Sequence, residues 1–138
     1  MKPMMEGEIT SNKPDSGNID KIRFYVCPSC GNILVSTGSA SIFCCGRKLE
    51  RILPTDATIA PKITVEEMDT DYFITFDHPM TKEHYISFMA FVKSDRVFLN
   101  RLYPEQSPSC RFPIITGGKL YVYCNKHGLL VYADYLTN

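Results

Sequence analysis

The sequence predicts an all-β chain in two parts, a small cysteine-rich unit followed by a β-sandwich or barrel. Three observations lead there. Short segments rich in β-branched and aromatic residues recur with turn-forming residues between them, and helical i, i+3, i+4 spacing appears at no useful length. Four of the six cysteines fall within positions 27–45, apart from the later strand-like run.

Taken in order, residues 1–20 hold the breakers Pro3, Gly7, Pro14 and Gly17 with little apolar pattern, and are expected to form a flexible tail. Residues 21–53 carry IRFYV, NILVS and SIF, the last two on either side of Thr37-Gly38-Ser39, and form the expected cysteine-rich unit. Pro54 and Pro61 bracket an expected linker, 54–61. From 62 to 138 come KITVEE, DYFITF, HYISFMAFVK, RVFLNRL, FPIIT, KLYVYC and LLVYADYL, which predict the sandwich. Both alternating faces of HYISFMAFVK are largely apolar, which predicts a central strand covered on both sides.

Composition narrows the function classes. The chain has 138 residues, 15 Lys+Arg against 15 Asp+Glu, and a formal net charge of zero. That length allows one or two small domains, and the charge balance gives no basic footprint for nucleic acid. The many Tyr and Phe residues therefore read as core. The longest apolar runs, such as Phe88–Val92, are five residues, against the ~20 a membrane helix needs. The N-terminal residues lack a signal-peptide core. A cytoplasmic location is expected, where clustered thiols are more often metal ligands than disulfides.

Cys27-Pro28-Ser29-Cys30 is a C-x2-C knuckle, and thirteen intervening residues later come Cys44-Cys45-Gly46. Four thiolates suit a tetrahedral site for iron or zinc. Adjacent strand residues point to opposite faces, so both Cys44 and Cys45 reach one ion only if the backbone kinks, which Gly46 would permit. A disulfide pair or unligated core cysteines are the alternatives. A second constellation holds every histidine of the chain: His78-Pro79-Met80, then His84, then Cys124-Asn125-Lys126-His127-Gly128. Three imidazoles and a thiolate form a borderline-soft donor set for iron or zinc, and on the strand reading they could meet at one sandwich rim. Ordinary surface or core histidines are the alternative. Cys110 belongs to neither group and reads as a small buried or loop thiol.

YVCPSCGNILVS with FCCGRKL resembles the desulforedoxin domain, and HPM-x3-HYI with C-N-x-H-G resembles the superoxide reductase domain. Together they resemble the desulfoferrodoxin and superoxide reductase family from about residue 24 to the end. The resemblance implies an immunoglobulin-like sandwich behind a desulforedoxin-like metal domain. It implies one iron on Cys27, Cys30, Cys44 and Cys45, and a second iron with His78, His84 and His127 equatorial and Cys124 axial. That second iron would reduce superoxide to hydrogen peroxide. It further implies an electron donor such as a rubredoxin-like protein or a reductase, and a homodimer, with no nucleic-acid or membrane partner.

One departure stands out. The family's fourth imidazole lies in an upstream segment where this chain has IAPKITVEE, and no histidine falls between Cys45 and Asp77. Water or a carboxylate from Glu66, Glu67, Asp69, Asp71 or Asp77 would have to complete an iron sphere, whereas zinc accepts four ligands. Zinc is therefore possible at either site. The alternative function is a family member acting in electron transfer, metal binding or redox sensing, with zinc or no metal in the second site. Lys62 could replace the family's guiding lysine only after loop rearrangement; Lys82 and Lys126 are the better candidates for guiding an anion, Lys82 foremost.

Overall fold

The computed structural model of the chain describes residues 19–56, 63–93, 96–115 and 117–133. Positions 1–18 of the expected tail, 57–61 of the expected linker and Lys62 lie outside the described residues. The described elements are strands apart from one 3-10 turn, Ile19–Lys21. The chain divides into two units between Glu50 and Arg51.

In the first unit β1 (Arg23–Val26) pairs antiparallel with β2 (Ile33–Ser36), with Phe24 opposite Val35 and Tyr25 opposite Leu34. A second, minimal hairpin joins β3 (Phe43–Cys44) to β4 (Arg47–Lys48). Ile22 and Phe24 are buried, and a small cluster forms around buried Tyr25, Cys27 and Leu49, with Leu34, Ile42 and Cys44 packed against them. Two of that cluster's six residues are sulfur donors of the first constellation.

The second unit is a sandwich of two sheets. One has the order β10-β7-β6, built from β6 (Ile63–Met68), β7 (Asp71–Phe76) and β10 (Ser109–Pro113). The other has the order β5-β12-β11-β8-β9, built from β5 (Thr55–Asp56), β8 (Ile86–Lys93), β9 (Arg96–Arg101), β11 (Lys119–Cys124) and β12 (Gly128–Ala133). All pairings are antiparallel except β5 with β12. Tyr72, Ile74, Phe76 and Phe112 face the core from the first sheet; Ile86, Met89, Phe91, Leu120, Val122, Leu130 and Tyr132 face it from the second. Strict alternation along β7, where Tyr72, Ile74 and Phe76 are the buried residues, puts one apolar face inward.

β8 lies between β11 and β9 and is buried at its first seven positions, as its two apolar faces predict. One bulge interrupts it. Tyr123 pairs with Phe88 but Cys124 pairs with Ile86, so Ser87 is an extra residue. Without that extra residue Ile86 would face away from Met89 and Phe91; with it, all three reach the core.

Three readings of the sequence differ from the structure. The strand expected at 112–116 is β10, Ser109–Pro113: Cys110 and Phe112 are its core-facing pair, and Ile114 and Ile115 pack on the core from outside the strand. A run of apolar letters drew the expected strand three residues too late. Thr55 and Asp56, inside the expected linker, pair with Leu130 and Val131; a two-residue parallel strand carries no periodicity to find. Finally, the strand expected at Ser41–Phe43 is Phe43–Cys44, taking the first vicinal cysteine into the ladder.

Candidate metal centres

The first cluster is built from two turns. β1 runs into Cys27, whose N–H donates to Asn32 O at 2.9 Å while Gly31 N–H donates to Cys27 O at 2.8 Å, closing the C-x2-C knuckle. The second turn is the β3–β4 hairpin, whose two loop residues, Cys45 and Gly46, have φ of +54° and +75°. Two successive positive φ angles are the mark of a type I′ hairpin turn. The bend expected at Gly46 therefore starts at Cys45 itself. Because Cys45 leaves the pleat, both vicinal sulfurs lie on one side.

The sulfur geometry follows. Cys30 Sγ is 3.6 Å and Cys45 Sγ 4.0 Å from Cys44 Sγ, and all four Sγ atoms lie within 4.8 Å of one another. A tetrahedron with metal–sulfur bonds of 2.3 Å has edges of about 3.8 Å, so the set fits one ion. A disulfide needs about 2.05 Å, and all six cysteines are free thiols. Donor hydrogen bonds to the cluster include Asn32 Nδ2 to Cys44 Sγ at 3.7 Å.

Charge makes the same point. The Cys30 amide, with those of other turn groups, holds the Cys27 thiol at about 6, against the opposing effect of burial. The neighbouring sulfur of Cys30, followed by those of Cys27 and Cys44, pushes Cys45 up to about 12. At Cys44 the Asn32 amide pulls downward, but the sulfurs of Cys30 and Cys27 together with burial outweigh it and raise the thiol. One thiolate forms easily and the next ones repel it. A cation at the centre removes that repulsion.

The second cluster occupies one rim of the sandwich, where three chain segments meet. His78 follows the end of β7, His84 precedes β8, and Cys124 and His127 bracket the β11–β12 turn. The bulge in β8 sets Cys124 opposite Ile86 at the inward end of the ladder, fully buried. Three residues then make the turn, and Gly128, at φ +86°, supplies the left-handed position that such a hairpin exit needs.

The four donor atoms lie within 4.8 Å of one another. The His78 and His84 ring centroids are 4.6 Å apart and those of His84 and His127 4.9 Å. Cys124 Sγ lies 3.5 Å from His127 Nδ1 and accepts the Lys126 N–H at 3.4 Å. His78 is only 9% exposed, and its Nδ1–H donates to Pro79 O at 2.6 Å, which leaves Nε2 as the lone-pair nitrogen. Burial foremost, then the charges of His84 and His127, lower the His78 pKa and favour the neutral ring a metal requires. His78 Nε2 and His84 Nε2 are buried without a hydrogen-bond partner. Buried polar nitrogens are costly when unpaired; an ion between them removes the cost.

No carboxylate among the described residues joins the four. Glu66, Glu67, Asp69 and Asp77 are exposed, and Asp71 lies 3.5 Å from the Arg111 guanidinium. Lys82 is exposed in the bend before His84, and Lys126 is exposed in the β11–β12 turn. Cys110 faces inward with its Sγ 3.0 Å from Met89 Sδ, and burial pushes its thiol up to about 12. It is a core residue. Pro79 and Asn125 were silent in the sequence, although both lie inside the motifs quoted; a carbonyl and a side-chain amide act here through bonds that only folding makes.

With both clusters described, their kin can be stated. The desulfoferrodoxin of Syntrophotalea carbinolica is 31% identical over 119 residues, covering 80% of this chain and 94% of that protein. The chain belongs to the desulfoferrodoxin family. The Clostridium acetobutylicum desulfoferrodoxin is 30% identical over 116 residues and 93% of its length. The superoxide reductase of Treponema pallidum superposes with a TM-score of 0.65 at 20% identity, over 80% of this chain and 96% of that one, which shows the shared fold. No protein-family model matches the chain. Membership carries the expectation of a redox iron protein, and both clusters have the donor chemistry to hold such ions. No helix among the described residues is long and apolar enough to cross a membrane.

Proposed function

We propose that the second cluster reduces superoxide to hydrogen peroxide, with His78, His84, Cys124 and His127 holding iron there and Cys27, Cys30, Cys44 and Cys45 holding iron in the first cluster. One observation carries the reading: two buried, unpartnered imidazole nitrogens and a buried thiol converge on one point. When bound, iron would supply a one-electron reductant enriched by its sulfur ligand. The chain's own groups prepare that chemistry. Pro79 O fixes the His78 tautomer, and the Lys126 N–H donates to the Cys124 sulfur and orients it. Exposed His127 marks the solvent side of the cluster, so a small anion has a way in. The exposed ammonium groups of Lys82 and Lys126 favour that approach.

The stoichiometry is one superoxide, one electron and two protons to one hydrogen peroxide, with the electron drawn from a rubredoxin-like protein or a reductase. A cytoplasmic homodimer completes this reading; gel filtration with light scattering checks the assembly.

A second reading has its own support. The chain contains three histidines and all are in the cluster, so a four-ligand zinc site is chemically complete. The protein would then serve electron transfer, metal binding or redox sensing. Elemental analysis and the visible spectrum of protein expressed with iron separate the two, followed by rapid mixing with superoxide. Two irons per chain are expected, with a thiolate-to-iron(III) band appearing rapidly at the reduced second centre as it gives its electron to superoxide. Zinc alone, or no metal, in the second cluster overturns the reductase reading.

A further inference from the structure

His84 rides on a stretch of chain that no ladder holds. Residues 77–85 cross between the sheets outside any strand. Their local bonds close one small ring: Thr81 N–H donates to His84 O at 3.0 Å, and His84 N–H donates to Thr81 Oγ1 at 3.1 Å. That ring shapes the turn but leaves it unattached to the hairpin carrying Cys124 and His127.

Asn125 makes the attachment. Its Oδ1 accepts the Tyr85 N–H at 2.9 Å, its Nδ2 donates to Glu83 O at 2.9 Å, and its backbone N–H donates to Tyr85 O at 3.2 Å. Residues 83 and 85 are the immediate neighbours of His84, so these bonds grip the backbone on both sides of the imidazole. Asparagine suits the task because one planar group offers an acceptor and donors together. Aspartate keeps the acceptor for Tyr85 but turns an oxygen toward Glu83 O. Alanine keeps only the backbone bond.

We propose that Asn125 is a positioning residue for the second cluster: it holds the His84 imidazole in bonding range of an ion shared with Cys124 and His127, without touching that ion. The inference rests on the reading of this cluster as a metal site. Outer-shell partners of this kind typically change metal affinity by about 10–100-fold. The effect falls on one ligand, because the bonds of Asn125's side chain go to Tyr85 N–H and Glu83 O, on either side of His84, and to none of His78, Cys124 and His127.

The test uses full-length protein and cobalt(II) as the probe, with Asn125→Ala, Asn125→Asp, His84→Ala and the Asn125→Ala/His84→Ala double variant. Asn125→Ala is expected to weaken cobalt binding at the second cluster by about 10–100-fold and to shift its thiolate-to-metal band, with the first cluster unchanged. Since Asn125 acts through His84, adding Asn125→Ala to His84→Ala is expected to cost less than about threefold more. Near wild-type affinity in Asn125→Ala, or losses that multiply in the double variant, overturns the proposal. Should the alanine variant fail to fold, Asn125→Asp carries the same measurements.

A second arm needs no metal. In the metal-free protein, hydrogen exchange at the Tyr85 amide is expected to quicken in Asn125→Ala while the β8 and β11 ladder amides keep their protection; an unchanged Tyr85 rate overturns the proposal. If the wild-type protein takes no cobalt at the second cluster, the metal reading fails and this arm alone decides the role of Asn125.

Discussion

The two clusters solve the same problem in opposite ways. In the first unit two of the four sulfur donors belong to the core: Cys27 is one of five buried apolar residues, with Ile22, Phe24, Tyr25 and Leu49, and Cys44 is half-buried, while Cys30 and Cys45 are exposed. In the second unit twelve buried residues form a core, and the donor cluster stands at its rim. A buried Leu or Phe contributes roughly 1.5–3 kcal/mol, while each ordered residue costs about 1–2 kcal/mol of backbone entropy. Five such side chains, together at most about 15 kcal/mol, cannot offset some thirty ordered residues; an ion joining four chain positions can. The difference teaches where each metal would act. In the first unit an ion would stand in for packing, and in the second the packing stands without one.

The largest effect expected from that contrast is on metal removal. Chelation, which would strip both clusters, or Cys27→Ser, which would cost one metal equivalent, is expected to melt the first unit: amide protection along β1 and β2 falls to that of an unstructured chain, while the β8 and β11 amides stay protected. Persistent β1–β2 protection in metal-free protein would erase the contrast. Next, Phe91→Ala, at a fully buried ring packed near Phe98 and Phe112, should destabilise the sandwich by about 3–5 kcal/mol. Denaturant unfolding measures it, and the metal content at low denaturant should stay at the wild-type value.

Cys124→Ser is expected to abolish the thiolate-to-metal absorption of the second cluster while the first keeps its own band. The stability cost to the sandwich should be about 1 kcal/mol, since serine is nearly isosteric and its core neighbours remain. Loss of both bands together would show that the clusters are not separate. The smallest effects come from a matched pair of turns. Gly46 and Gly128 have φ of +75° and +86°, and a Cβ at either would meet nothing within 4 Å. Alanine at each should cost only backbone strain, about 1–2 kcal/mol. At Gly46 that strain should appear as weaker metal retention in the first cluster, and at Gly128 as a lower melting temperature of the sandwich.

Much of this architecture was legible before folding. The alternation of DYFITF and the two-faced apolar run of ISFMAFVK became β7 and the buried β8, because burial on one face or two writes itself directly into residue order. The donor types were equally plain, since C-x2-C and a vicinal pair are short-range patterns. Illegible were features that depend on a partner strand: the two-residue β5 has no pattern of its own, β10 starts at polar Ser109 because its register with β7 requires it, and the Ser87 bulge exists only relative to β11. The way both vicinal sulfurs reach one side was hidden too, since Cys45 at positive φ is an exception to ordinary residue preference.

The residue order alone determined the donor inventory: six thiols and three imidazoles, hence at most three imidazole ligands that these residues of one chain can bring to the rim. That limit is one of composition, and no conformation can exceed it. Tertiary structure decided which of those donors meet, which ring nitrogen of His78 is left free, and that Asn125 ties one ligand loop to another across forty positions of chain. Those outcomes rest on strand register and loop closure, where bonds between distant residues select one arrangement among many that the same letters permit.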